Sequence, residues 1–193
     1  MTKGMKRGIG CLVVIIVVAI ILFSAVKGIY NDLVTRDENV NNSWSQVENQ
    51  LKRRFDLIPN LVETVKGFAK QERDVLIGVT EARASVGQAQ TPAEQMAANN
   101  ELSSALSRLM VVVEQYPQLK SDQNFLKLQD ELAGTENRIA VERRRYNDTV
   151  TELNQKIRSF PTVLFAGLLG FEKRDYFDTP AAEEAAPKVD FTN

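Results

Sequence analysis

Six polar side chains fall where helical segments could bring them together: Glu72, Arg108, Asn137, Arg138, Arg145 and Asn147. Glu72 lies between Phe68 and Val75 on an apolar stripe, so its carboxylate needs a partner before it can be buried. Arg138 and Arg145 can supply one, with Asn137 and Asn147 next to the apolar Ile139 and Tyr146, and Arg108 and Glu101 in reach from a preceding segment. Two kinds of chemistry fit this set. One is a structural network that fixes helix register; the other is a small polar pocket in which Arg138 and Arg145 hold a ligand or anion. Acid–base catalysis fits less well. Glu136 and Glu142 stand six residues apart, and on one helix they diverge by about 120° in projection. The chain has no histidine and one cysteine, Cys11. That removes histidine triads, His-containing zinc and di-iron sites, intrachain disulfides, Cys-x-x-Cys redox chemistry and thiolate zinc sites. No catalytic residue, metal or cofactor is expected, and the chain reads as a protein that is not an enzyme.

The elements that must place these residues are helical. At 193 residues, with 44% apolar and 25% charged side chains, the chain has material for one core. Alternating strand patterns and Asn-Gly or Asp-Gly hairpin turns are missing from the sequence. A first stripe runs through Leu33, Val40, Trp44, Val47, Leu51 and Ile58, and a second through Leu61, Val65, Phe68, Val75, Val79, Ala82 and Val86. Pro59 separates them and is expected to mark a reversal; the alternative is one kinked helix of about sixty residues. Thr91-Pro92-Ala93-Glu94 reads as an N-cap, an N1 proline and an N3 acid, opening a third helix that Pro117 ends. In the last helix Phe125, Leu132, Ile139, Tyr146, Leu153 and Phe160 recur every seven residues, with Ser121 as its cap and Pro161 as its end. The expected fold is therefore all-α, an antiparallel four-helix bundle over residues 28–161 in which Trp44 and Tyr146 fill the core.

Ahead of the bundle, the nineteen residues Gly8–Val26 carry no charge and make a helix about 28 Å long, enough to cross a bilayer. Residues 8–27 are read as an uncleaved transmembrane anchor behind a basic flank, 1–7; Ser24-Ala25-Val26-Lys27 offers no signal-peptidase pattern. The basic flank favours a cytoplasmic amino terminus, which puts the bundle outside the cytoplasm. Four of the 24 basic side chains lie at or before Lys27, so residues 28–193 carry twenty against all 25 acidic ones, a net charge of −5. Such a domain is a poor nucleic-acid binder, and the runs Lys52–Arg54 and Arg143–Arg145 read as solvated faces and internal ion pairs. After the bundle, residues 162–177 include the uncharged run Val163–Phe171. Leu164, Phe165, Leu168, Leu169 and Phe171 are expected either in the lipid headgroup region or folded back over the open end of the bundle. Residues 178–193 are rich in Ala, Glu and Pro and are expected to be disordered, with Val189 and Phe191 as a docking motif.

Several stretches are more particular than a generic bundle: Tyr30-Asn31-Asp32-Leu33-Val34, the run Trp44–Arg54, and Asp56-Leu57-Ile58-Pro59-Asn60-Leu61-Val62. With Val65–Ala69, Glu101–Leu109, Gly134–Ala140, Arg145-Tyr146-Asn147 and Phe160-Pro161, they resemble the LemA family along nearly the whole chain. The resemblance implies a bacterial single-pass membrane protein with a four-helix soluble part and brings no reaction, substrate or cofactor. It also implies partners in the envelope, a TPM-domain protein or a membrane protease. Where relatives commonly carry a histidine before the acid of the second helix, this chain has Gln71-Glu72. The function expected from residues and resemblance together is that of a membrane-anchored scaffold or adaptor, acting through lipid and protein contacts and as a homo-oligomer; the alternative is a ligand sensor around Glu72, Arg138 and Arg145.

Overall fold

The computed structural model of the chain describes residues 3–69 and 71–177, and the side chains from Leu12 onward among them. The basic flank's side chains, Cys11, and the tail 178–193 with Val189 and Phe191 lie outside what it describes. Five helices follow one another: α1 (Lys3–Phe68), α2 (Arg73–Gln88), α3 (Pro92–Val113), the single turn α4 (Pro117–Lys120) and α5 (Gln123–Arg158), then a 3-10 turn, Thr162–Leu164. The contacts divide into two compact units, one of residues 1–42 with 148–174, the other of residues 43–147 with the segment from Asp175.

In the second unit, Val47, Leu51, Arg54, Ile58, Leu61 and Val65 of α1 are all buried, in unbroken steps of three and four. The stripe passes straight through Pro59, which stands inside α1, so the expected reversal at Pro59 is corrected to a continuous helix. A proline inside a helix deprives the carbonyl four residues earlier of its N–H partner. That carbonyl belongs to Phe55, and Arg83 of α2 donates to it from Nε at 3.2 Å, while its guanidinium lies 3.9 Å from the centre of the Phe55 ring. The second half of the expected second helix survives as α2, and the reversal occurs at residues 69–72.

The signals for α3 hold. Thr91 accepts from the Glu94 N–H and the Glu94 carboxylate accepts from the Thr91 N–H, a complete capping box with Pro92 behind it. The helix ends at Val113, and Pro117 opens α4 instead of closing α3. At the start of α5 the cap is Asp122, whose Oδ1 accepts from the N–H groups of Asn124 and Phe125, while Ser121 bonds back to the carbonyls of Pro117 and Gln118. Leu102, Leu106 and Leu109 of α3 meet Ile58 and Leu61 of α1, Leu76 and Val79 of α2, and Phe125 and Leu132 of α5 in one core. The all-helical expectation is met, and Leu119 of α4 joins that core, so that each of the five helices among the described residues contributes to it.

In the first unit the large apolar side chains from Leu12 to Phe23 are about half to three-quarters exposed and meet no protein surface, as a membrane-crossing segment requires. Beyond them Leu33 and Val40 of α1 and Val150, Leu153 and Ile157 of α5 are buried. Phe160 departs from its heptad: it follows the end of α5 and is 81% exposed. Asp32 links the two helices, accepting from Lys156 Nζ at 2.8 Å and Arg36 Nε at 3.1 Å. The Lys156 bond, with help from Arg36, holds the Asp32 carboxyl below its ordinary value. A depressed carboxyl stabilises fully above the unfolded value near 4 and loses that contribution as pH falls through the folded value. We expect Asp32→Asn to cost up to about 1 kcal/mol at pH 7 and to converge with the unmodified chain in strong acid. Thermal unfolding followed from pH 7 to 3 checks this, and a gap that stays constant with pH would contradict it.

Candidate functional site

The residues singled out from the sequence do not form one network. Glu72 stands in the break before α2, half-buried, and accepts a 2.9 Å hydrogen bond from the Tyr116 hydroxyl. That bond raises the Tyr116 phenol above its usual value. The carboxylate does have a partner, but it is a phenol and not an arginine. Arg138 and Asn137 are exposed on α5. Arg145 is exposed too and pairs with Glu142 one turn away. Arg108 lines a separate groove between α2 and α3, with Asp74, Glu81 and Glu101.

The buried charge lies elsewhere. Arg54 is 4% exposed, the one charged side chain among the described residues that the protein encloses. Its place between Leu51 and Ile58 on the stripe turns it inward. Nη2 donates to Ser103 Oγ of α3 at 2.9 Å, and Nη1 meets Glu136 Oε2 of α5 at 3.1 Å. Burial lowers the guanidinium from its ordinary value and Glu136 opposes that shift. A cleft of about 450 Å³ opens over this group, with Ser107, Leu106, Met110, Ala133 and Arg143 in its walls. Arg143 also lies over the Phe177 ring, 4.4 Å from its centre. The reading of residues 52–54 as solvated faces and internal ion pairs holds: Lys52 and Arg53 are exposed, and Arg54 makes the internal pair.

After α5 the chain turns and runs back along it. In the first unit Thr162 and Ala166 are buried, Gly170 takes φ +81°, and Phe171 meets Tyr30 edge-on at 5.8 Å between ring centres. A positive φ of that size is open to glycine at no steric cost. Arg174 forks onto Asp37 with bonds of 3.0–3.3 Å. Its backbone is held by Asn154: the side-chain amide donates to the Arg174 carbonyl and the side-chain oxygen accepts from the Arg174 N–H, both at 2.9 Å. In the second unit Asn147 does the same for Phe177, at 3.0 and 2.8 Å. The Tyr146 hydroxyl donates to the Asp175 carbonyl at 3.0 Å, and its ring packs edge-on against Trp44 at 5.3 Å. Asn147 thus serves as a clasp for the returning segment.

The five apolar residues expected at a membrane surface divide in the same turn. Leu164 and Leu168 are 65% and 89% exposed, while Phe165, Leu169 and Phe171 are half-buried. Phe160 and Val163 join the exposed set, giving four large apolar side chains on the unit that also holds Tyr30, four residues past Val26 at the end of the apolar run.

Comparison with known proteins bears on the same helices. The chain is 28% identical to magnetosome protein MamQ 2 of Paramagnetospirillum magneticum, over 94% of this chain and 77% of that one. It is 25% identical to protein LemA of Metamycoplasma hominis, over 82% of this chain and 73% of its relative. MamQ of Magnetospirillum gryphiswaldense is also 25% identical, over 80% and 66%. The LemA family profile matches residues 43–191, a span that takes in Arg54, both asparagine clasps and the turn after α5. With one helix long and apolar enough to cross a membrane leading into helices that share a core, the chain belongs to the LemA family.

Proposed function

We propose that this LemA-family protein is a non-enzymatic scaffold or adaptor of the bacterial envelope, fixed in the cytoplasmic membrane by one span and acting through lipid and protein contacts. The bundle lies outside the cytoplasm, as the basic flank ahead of the span favours. The observation that carries the reading is the turn after α5. Packing of Phe171 on Tyr30 holds the turn beside the end of the membrane-crossing run, with Phe160, Val163, Leu164 and Leu168 unburied. Four such side chains in water are costly, and immersion in the headgroup boundary removes that cost. Protein partners are further copies of the chain or other envelope proteins, a TPM-domain protein or a membrane protease among them by family association. A sensor centred on Glu72, Arg138 and Arg145 has less support, because Glu72 bonds to Tyr116 and Arg145 to Glu142.

The membrane contact is tested with the full chain in lipid nanodiscs. Cys11 is replaced by serine and a nitroxide is attached through Leu168→Cys or, separately, Lys173→Cys. The label at 168 is expected to be relaxed by lipid-dissolved oxygen and shielded from an aqueous nickel reagent, and the label at 173 to behave in the opposite way. Aqueous behaviour at both positions would remove the lipid contact from the proposal.

A further inference from the structure

The pairing of Arg54 with Glu136 is lopsided. The arginine side chain is 5% exposed and its carboxylate partner 51%. A buried guanidinium cannot withdraw into water without undoing the stripe that holds it, whereas a half-exposed glutamate can swing out at little cost. Glu136 therefore occupies an anion position that is fixed on one side and exchangeable on the other. The cleft above it has a polar floor at Arg54 and Ser103 and an apolar wall of Leu106, Met110 and Ala133. With Arg143 at its side the lining carries two positive charges against the single negative one of Glu136. A volume of about 450 Å³ is within the usual range of small-ligand sites.

From this geometry we propose that the cleft is a binding site for a small organic monocarboxylate with a short apolar body, whose carboxylate replaces that of Glu136 on Arg54. The charged end takes the place beside Nη1 that Glu136 now holds as an ion-pair partner, and the apolar body lies along Leu106 and Met110. The protein's own occupant is a carboxylate, one oxygen of which meets Nη1, so the position already accepts that group. One monoanion takes the place of one carboxylate, so the charge balance at Arg54 is kept. No bond to the ligand is formed or broken chemically, and the site does not depend on the adaptor reading or on the lipid contact.

The test uses the full chain in nanodiscs with hexanoate as the probe, hexanol as the neutral control and inorganic phosphate as the control without an apolar body. Hexanoate is expected to bind saturably by calorimetry and to raise the unfolding temperature, and both controls to do neither. Glu136→Gln removes the internal competitor and is expected to tighten hexanoate about tenfold. Ala133→Phe fills the cleft without touching the ion pair and is expected to abolish binding. Arg54→Met is expected to abolish it as well; if that variant fails to fold, Ala133→Phe and Glu136→Gln decide. Equal binding of hexanol, phosphate binding as tight as hexanoate, a Glu136→Gln gain below threefold, or retained binding in Ala133→Phe would each overturn the site.

Discussion

Replacing Asn154 with leucine is expected to release Arg174 from α5 and speed tryptic cleavage after Lys173 and Arg174 by about thirtyfold or more. Two hydrogen bonds are lost at once, each contributing about 1 kcal/mol, and two backbone groups are left facing an apolar side chain that cannot pair with them. Together that amounts to about 2–3 kcal/mol of local opening free energy, felt at this segment before the rest of the protein. Asn154 is 7% exposed, so leucine fits the site by burial and only the bonding changes. Site-resolved cleavage by mass spectrometry checks the rate, and amide exchange at Arg174 checks the cause. Unchanged protection of that amide would show that the Asp37 fork and the Phe171 contact hold the segment without the clasp.

The second large effect is a gain. Pro59→Ala is expected to stabilise the folded chain by about 2 kcal/mol. Proline inside a helix costs about 3 kcal/mol relative to alanine, and the variant restores an N–H for the Phe55 carbonyl. About 1 kcal/mol is offset because alanine also loosens the unfolded chain. Pro59 is exposed, so no packing is lost. Were residue 59 in a turn, the same substitution would destabilise, and denaturant unfolding of the full chain separates the two signs. A double-mutant cycle carries the test further. Arg83→Met should cost less in the alanine background, because the carbonyl that Arg83 serves is then already bonded.

Much of this fold could be read from residue order alone, and the failures are informative. Capping at Thr91 and the α5 heptads from Phe125 to Leu153 were legible because local chemistry and core packing agree there. Pro59 misled because its punctuation was weighed above periodicity: Leu51, Arg54, Ile58, Leu61 and Val65 keep helical steps across it. Counting Arg54 into that stripe would also have marked it as inward, since three consecutive basic residues fan too widely for all to face solvent. The break at residues 69–72 has no proline and no side-chain cap bond at Glu72, which left nothing local to read. Asn147 was chosen for its place beside Tyr146, and the reason it matters, a backbone partner thirty residues on, depends on a turn that only tertiary packing specifies.

Each clasp, taken by itself, is indifferent to the letter it holds. What Asn154 reads at residue 174, and Asn147 at residue 177, is one N–H and one carbonyl. Main chain of that kind is presented alike by every residue but proline. The two gripped positions are thus open to almost any side chain as far as the clasp is concerned and closed to one, since proline has no N–H to give. The selectivity written into each asparagine is for a backbone and not for a residue type, a grip that excludes a single amino acid and ignores the other nineteen.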